Sequence, residues 1–216
     1  MVETNQGPHP RERILDASEA LFAEKGYEAV TIREIVKAAG CNVAAVNYYF
    51  GQKRNLYLEV FECRWIPRAY KIQESFRENL RKSGRSDVEG IIRAFAMAFL
   101  EGPFSEKERI RHSQLMAREI ARPSEAFDLI AKKVMRPFVR ELVELLRKAL
   151  PAPVRDHELI LILLSIFSQI IYFTFARRPV SLFTGKRYTS EFRENLCDHI
   201  VAFSLRGLGM GNGGCS

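Results

Sequence analysis

The side chains that do covalent or metal chemistry are present in this sequence but are not grouped for it. Asp156-His157 and Asp198-His199 are its nearest approaches to an acid–base pair, and consecutive residues on a helix point about 100° apart. No H-E-x-x-H, no G-x-x-x-x-G-K-S/T phosphate loop and no plausible catalytic triad occurs. Cys41, Cys63, Cys197 and Cys215 are scattered, with no C-x-x-C pair and no short spacing to a histidine, so neither a zinc site nor a disulfide framework is indicated. Gly209, Gly211 and Gly214 form a formal G-x-G-x-x-G. A dinucleotide site needs a strand before that pattern and a helix after it, and here a helical segment precedes it. Neither an enzyme nor a bound cofactor or metal is expected.

What is grouped, between residues 30 and 53, suits a nucleic acid. In Val30-Thr31-Ile32-Arg33-Glu34-Ile35, Thr31 can cap the N–H of Glu34 while Glu34 reaches back to the N–H of Thr31, and Val30 and Ile35 form a hydrophobic staple. Gly40 then offers a left-handed stop, and Asn42 can cap a second helix after a turn of only three residues. Two short helices joined this tightly cross steeply, as in a helix-turn-helix. The second reads Val43-Ala44-Ala45-Val46-Asn47-Tyr48-Tyr49-Phe50. Val46 and Phe50, aided by Val43, fit an inward stripe and leave a small, polar outer face. Asn42, Ala44, Ala45 and Asn47 are candidates for reading base edges in a major groove. Thr31, Tyr48 and Tyr49 offer hydroxyls, and Arg33 and Lys53 charge, for phosphates. Each residue alone has an ordinary structural explanation, and Tyr48 and Tyr49 can simply complete a core; the combination is what points to DNA.

These residues must be positioned by helices. With 216 residues, 47% of them apolar, the chain can bury a substantial core. The net charge of +7 does not locate a DNA site, because residues 1–55 carry seven basic and seven acidic side chains. Proline and glycine divide the chain into helical blocks with no convincing alternating strand. The first, Arg11 to Lys25, has Ile14, Ala17, Leu21 and Phe22 on one stripe; Ile32–Ala39 and Val43–Phe50 follow. Longer blocks are expected at 53–83, interrupted only by Pro67, and at 88–100, 106–121, 125–150, 156–176 and 190–208. The fold class is therefore all-α: a helix-turn-helix domain at 1–52, a helical effector-binding and dimerisation domain at 53–208, and a flexible tail at 209–216.

Residues 11–58, RERILDASEALFAEKGYEAVTIREIVKAAGCNVAAVNYYFGQKRNLYL, resemble the N-terminal domain of the tetracycline-repressor (TetR) family of transcriptional regulators. The resemblance covers roughly a quarter of the chain. It implies an all-helical dimer in which three helices bind DNA and about six bind a ligand and dimerise. By position, Thr31, Arg33, Asn42, Ala44, Ala45, Asn47, Tyr48, Tyr49 and Lys53 fall where the family contacts operator DNA. The family often has Lys at the place of Val43, Tyr at Asn47 and His at Tyr49, so operator and phosphate grip can differ here. RHSQLMAREIARPSEAF, residues 111–127, is faintly similar to a subgroup associated with antibiotic-response genes.

One short recognition helix reads few base pairs, and a mismatch costs about 1–3 kcal/mol. Two helices on a palindrome, roughly 34 Å apart, supply the missing selectivity. Leu159 to Ala176, eighteen residues without a charge, reads better as a helix enclosed on nearly all sides than as a membrane span. With the helix at 190–208 it is expected to form a four-helix dimer interface. Phe61, Trp65, Phe95, Phe99, Phe104, Met116, Phe127, Met135 and Phe138 are candidates to line a pocket for a small, largely apolar effector, with His112, Gln114 and Glu119 as polar anchors. Pro67 marks a lever between the domains. Other readings are a helical lipid or small-molecule carrier with a vestigial DNA-binding domain, and a redox sensor built on Cys41. The N-terminal segment lacks the apolar stretch of a signal peptide, and a cytoplasmic, non-membrane protein is expected.

Overall fold

The computed structural model describes residues 9–210, so the sequence-based expectations for the N-terminal segment and most of the tail lie outside the described residues. Helices within that range are α1 (Pro10–Lys25), α2 (Ile32–Ala39), α3 (Val43–Phe50), α4 (Lys53–Val60), α5 (Ile66–Ser83) and α6 (Val88–Leu100). They are followed by α7 (Glu106–Ala121), α8 (Glu125–Ile130), α9 (Arg136–Ala149), α10 (Asp156–Phe175), α11 (Arg177–Thr184) and α12 (Ser190–Gly207). The fold is all-α. The short α11 was not anticipated, because Arg177-Arg178-Pro179 reads as a linker, whereas proline is tolerated in a first helical turn.

Two joints are π-helical turns, Phe61–Trp65 between α4 and α5 and Ala131–Met135 between α8 and α9. Each is followed by a proline, Pro67 and Pro137. Proline has no N–H, so a helix running through Pro67 leaves the Cys63 carbonyl without its partner. The widened turn instead pairs the Ile66 N–H with the Phe61 carbonyl, and Arg64 donates its guanidinium to the Cys63 carbonyl at 3.3 Å. Helix α4 thus passes through this π turn into α5, a form of irregularity that recurs at functional hinges.

The chain divides into two compact units. One takes the described residues up to Ala69 together with Phe104–Val134; the other takes Tyr70–Pro103 and the chain from Met135 onward. This division differs from a boundary at residue 52, because α1 packs on α2, α3, α4 and α7, and α4 also packs on α8. The first unit's core is Ile14, Leu15, Phe22, Val30, Ile35, Val46, Leu56 and Phe61, all fully buried. The buried stripe of α1 is rotated from the expected one. Leu15, Ser18 and Glu19 face inward, and Ala17 and Leu21 are half-buried, because the Glu19 carboxylate has arginine partners from α5 and α7.

In the second unit α6 packs against α9, α10 and α12. Phe76, Phe95, Phe99, Phe138 and Phe167 form a ring cluster with centroids 5.4–6.0 Å apart, mostly in the edge-to-face arrangement that aromatic quadrupoles prefer. Helix α10 buries Leu159, Leu163, Ile166, Ile170 and Thr174. In the single chain it is not enclosed all round: Ile160, Leu161, Leu164 and Tyr172 are exposed. Its end leads by a short connection into α11 and then α12, which closes with the Met210 N–H on the Leu205 carbonyl, so the chain is still capped at 209–210.

Phe76 is fully buried against the rings of Phe95 and Phe138. Phe76→Ala is expected to cost about 3–5 kcal/mol, read as a lowered midpoint in chemical denaturation.

Candidate nucleic-acid interface

Thr31 caps α2 and forms the expected reciprocal box: its hydroxyl accepts from the Glu34 N–H at 3.2 Å, and the Glu34 carboxylate accepts from the Thr31 N–H at 2.8 Å. Lys25 also donates to Glu34, at 2.9 Å. With the Lys25 ammonium first and the Thr31 backbone and hydroxyl next, the Glu34 carboxyl is pulled down to about 2. Val30 and Ile35 are both fully buried, as a staple requires. Gly40, at φ +61°, ends α2, with the Cys41 N–H on the Val36 carbonyl and the Gly40 N–H directed at that of Lys37. The tight turn is braced from α1, where Arg13 donates to the Gly40 carbonyl and lies 3.4 Å from the Cys41 sulfur.

Asn42 then caps α3, its side-chain oxygen accepting from the Ala45 N–H at 2.9 Å. Val46 and Phe50 are buried. Ala44, Asn47 and Tyr48 are exposed, Tyr48 by 82%, while Ala45 and Tyr49 are half-buried. Val43, expected to face inward, is exposed: in the first turn it lies past the edge of the stripe that Val46 and Phe50 define. The rings of Tyr48 and Tyr49 meet edge to face at 4.9 Å, and His9 packs on Tyr49.

Lys53, the first residue of α4, holds its ammonium 4.3 Å above the centre of the Tyr27 ring. Helix α4 begins without a side-chain cap, so its first N–H groups have no side-chain acceptor. Arg33 is exposed beside the start of α2. Thus Thr31, Arg33, Asn42, Ala44, Ala45, Asn47, Tyr48, Tyr49 and Lys53 all lie on α2, α3 and the beginning of α4 or their caps. Two have less chemistry to spare than expected. The Thr31 hydroxyl is engaged with Glu34, and the Asn42 oxygen with its helix, which leaves Asn42 only its amide donors.

The proposed effector residues belong to both units. Phe61, Trp65, Phe104, His112, Met116 and Glu119 belong to the first unit, and Phe95, Phe99 and Phe138 to the second. In the first, the Trp65 and His112 rings stack at 4.3 Å, and the Trp65 N–H donates to the His112 carbonyl. Burial, then the Arg68 charge, pushes the His112 imidazole down to about 3, and its Nδ1 is buried without a hydrogen-bond partner. Glu119 is 2% exposed and fully used: one oxygen accepts from the Tyr57 hydroxyl, the other from the Ser124 N–H and hydroxyl and the Phe127 N–H. Burial, and then the Glu119 carboxylate, hold the Tyr57 hydroxyl well above the usual phenol range. Gln114 is exposed on α7, two residues and about 200° round from His112. Phe127 and Met135 are half-buried.

Sequence reasoning missed Phe76 and Phe167, which join the second unit's ring cluster. The spacing of Ile72 and Phe76, four apart on one helix, was a usable signal. It also missed the polar core of the first unit, where Glu19 pairs with Arg68 and, at 3.4 Å, with Arg111. Nothing local announces that pairing. Cys41 is half-buried, its thiol directed at the Ala39 carbonyl at 3.5 Å.

The family described as the CecR (HTH-type transcriptional dual regulator) C-terminal domain matches residues 88–208, more than half of the chain, and that described as bacterial regulatory proteins, tetR family, matches residues 14–60. The chain belongs to the TetR family, with a CecR-type C-terminal domain. It is a DNA-binding transcriptional regulator and not an enzyme. TetR-family regulators bind operator DNA and usually act as dimers. The chain is similar to the dual regulator CecR of Shigella flexneri, at 27% identity over 206 residues, 92% of this chain and 90% of that one. It is also similar to the repressor AcnR of Corynebacterium glutamicum, at 42% over 48 residues, 22% of this chain and 26% of that one. Among solved structures, the hemolysin II transcriptional regulator HlyIIR has the same fold, with a TM-score of 0.61 at 24% identity, covering 90% of this chain and 96% of that one. The faintly familiar segment at 111–127 lies inside the CecR-type match.

The His112 ring makes stability depend on acidity. Unfolded, it takes a proton near pH 6.5; folded, it stays neutral down to about 3. The unfolded state therefore binds more protons between these values, and stability falls as pH drops from 6.5 toward 3. His112→Phe should flatten that limb in urea titrations across the interval; an unchanged slope would show that the ring protonates freely in the folded protein.

Proposed function

We propose that two copies of this chain present α3 to successive turns of a palindromic operator and repress transcription there until a small, largely apolar effector releases them. The observation that carries this reading is the outer face of α3, where exposed Ala44, Asn47 and Tyr48 stand opposite buried Val46 and Phe50. Two alanines near the helix start remove bulk, so the backbone can enter a major groove. Asn47 suits an adenine edge, and Asn42 offers its amide hydrogens to a base acceptor. Arg33, Tyr48, Tyr49 and Lys53 with the uncapped start of α4 suit phosphates, and Thr31 adds its exposed position next to them.

The dimer is assigned to α10 and α12. Helix α10 exposes Ile160, Leu161, Leu164 and Tyr172, and α12 exposes Phe203 at 59%. By length and composition α10 is also apolar enough to cross a membrane. Its buried stripe on the helical core and its place in a family of DNA-binding regulators favour a protein partner for the other face, and a cytoplasmic location. For the effector, the Trp65 and Phe104 rings beside His112, whose Nδ1 is unpartnered, and the buried Met116 one turn along α7 provide an apolar setting with one polar point. The second ring cluster, with Phe95, Phe99 and Phe138, lies in the dimerising unit. Glu119, already engaged by Tyr57, Ser124 and Phe127, is left out of this proposed setting. The π turn before Pro67 is the lever between α4 and α5.

Duplexes selected by the full-length protein from a random pool supply the test. Asn47→Ala should relax base preference at one or two positions, whereas Lys53→Ala should weaken binding to all sequences and reduce the salt slope by about one. Leu161→Glu should shift sedimentation to the monomer and abolish selective binding. A dimer that survives this change, or a preference that survives Asn47→Ala, contradicts the corresponding assignment. Pro67→Ala restores an N–H and should slow amide exchange over 61–66 while leaving operator affinity unchanged.

A further inference from the structure

Arg118 and Glu119 are neighbours on α7, and consecutive helix residues point about 100° apart. They reach two different parts of the DNA-binding helices. Arg118 donates from Nε to the Ala23 carbonyl at 3.1 Å and from Nη2 to the Glu24 carbonyl at 2.6 Å. Both carbonyls lie in the last turn of α1, where no intrahelical N–H is available and where a cation also meets the negative end of the helix dipole. The fit is close. At Gly26, with φ +85°, an added Cβ would sit 2.8 Å from the Arg118 guanidinium. The next residue in the path is Lys25, which pairs with Glu34 at 2.9 Å, and Glu34 closes the capping box on Thr31. The order is therefore α7, the end of α1, and the first turn of α2.

Glu119 reaches the other way. It accepts from the Tyr57 hydroxyl at 2.6 Å. The Tyr57 ring packs on Phe22 at 5.0 Å and on Tyr27 at 4.9 Å, and the face of Tyr27 carries the Lys53 ammonium. Three further donors from Ser124 and Phe127 fix the carboxylate in place. Both residues fall within the stretch matched by the CecR-type C-terminal domain, 88–208, while everything they hold through these contacts on α1, α2 and α4 falls within the tetR match, 14–60. They join the two modules chemically.

We propose that Arg118 and Glu119 are positioning residues for DNA recognition, setting the start of α2 and the seat of Lys53 from α7 without touching DNA themselves. This rests on α2–α3 being the DNA-binding surface. A shift of α7 alters both arms at once, since one turn of one helix carries them.

The test uses full-length Arg118→Gln and Tyr57→Phe, singly and together, titrated over a range of salt against a duplex that the parent protein selects from a random pool. Circular dichroism and sedimentation confirm folded protein of parental oligomeric state. Each single change is expected to lower affinity about fivefold or more, with the slope of log K against log salt equal to that of the parent, because neither substituted side chain itself contacts a phosphate and Lys53 keeps its charge. Lys53→Ala on the same duplex gives the reduced slope of a direct contact for comparison. Affinity within twofold of the parent for both variants overturns the proposal, and so does a slope reduced by about one in Arg118→Gln, which makes Arg118 a phosphate contact. If Arg118→Gln fails to fold, Tyr57→Phe alone decides, since it removes a single oxygen. Asn47→Ala on this duplex separates the two failures: loss of base preference there, with no effect of Arg118→Gln or Tyr57→Phe, leaves the α3 reading standing and removes only the positioning role.

Discussion

A carboxylate taken out of water must be given donors, and two such groups organise the first unit. Glu19 on α1 is 1% exposed and Glu119 on α7 is 2% exposed. Glu19 gathers Arg68 from the start of α5 and Arg111 from α7; Glu119 gathers Tyr57 from α4 and the N-terminal turn of α8. Leaving a buried charge without its partner costs about 3–5 kcal/mol, comparable with much of a domain's stability. The relative places of α1, α4, α7 and α8 are therefore dictated by charge satisfaction as well as by apolar packing. The helix-turn-helix is attached to one of these, α1, which packs on α2 and α3 as well as on α4 and α7.

That attachment explains how so small a recognition helix is usable. α3 has eight residues, two of them buried, and its outer face carries no charge. It has little binding energy of its own, so selectivity has to come from accurate placement and from duplication. Placement is supplied by the capping box at Thr31, the Arg13 brace on the turn and the Tyr27–Lys53 contact. Duplication is the usual condition of the family, and the surface proposed for it is the set of exposed apolar residues on α10 and α12.

Much of this was legible because it is local. The capping box, staple, left-handed glycine and Asn42 cap each involve residues at most five apart, and α2 and α3 begin and end where these signals place them. Readings that depend on a distant partner failed. The stripe of α1 is rotated toward Glu19 because its partners are 49 and 92 residues away. Val43 is exposed because it lies past the edge of the stripe that Val46 and Phe50 define. Pro67 suggested an interruption and the block at 125–150 none, but whether a helix breaks or widens into a π turn, as it does before both Pro67 and Pro137, depends on its packing. The aromatic candidates for a pocket were chosen by type along one stretch and belong to both units; which of them share a lining is not encoded in residue type. Arg118 carried no motif at all; its role is visible only once the carbonyls of Ala23 and Glu24 are in place.

The central claim, that two α3 helices read duplex DNA from one face, is met most directly by hydroxyl-radical and methylation footprinting of the full-length protein on a duplex it has selected. The account predicts two protected major-groove patches related by a dyad, centred roughly 34 Å apart on the same face of the duplex. A single patch, or protection confined to the minor groove, would contradict it.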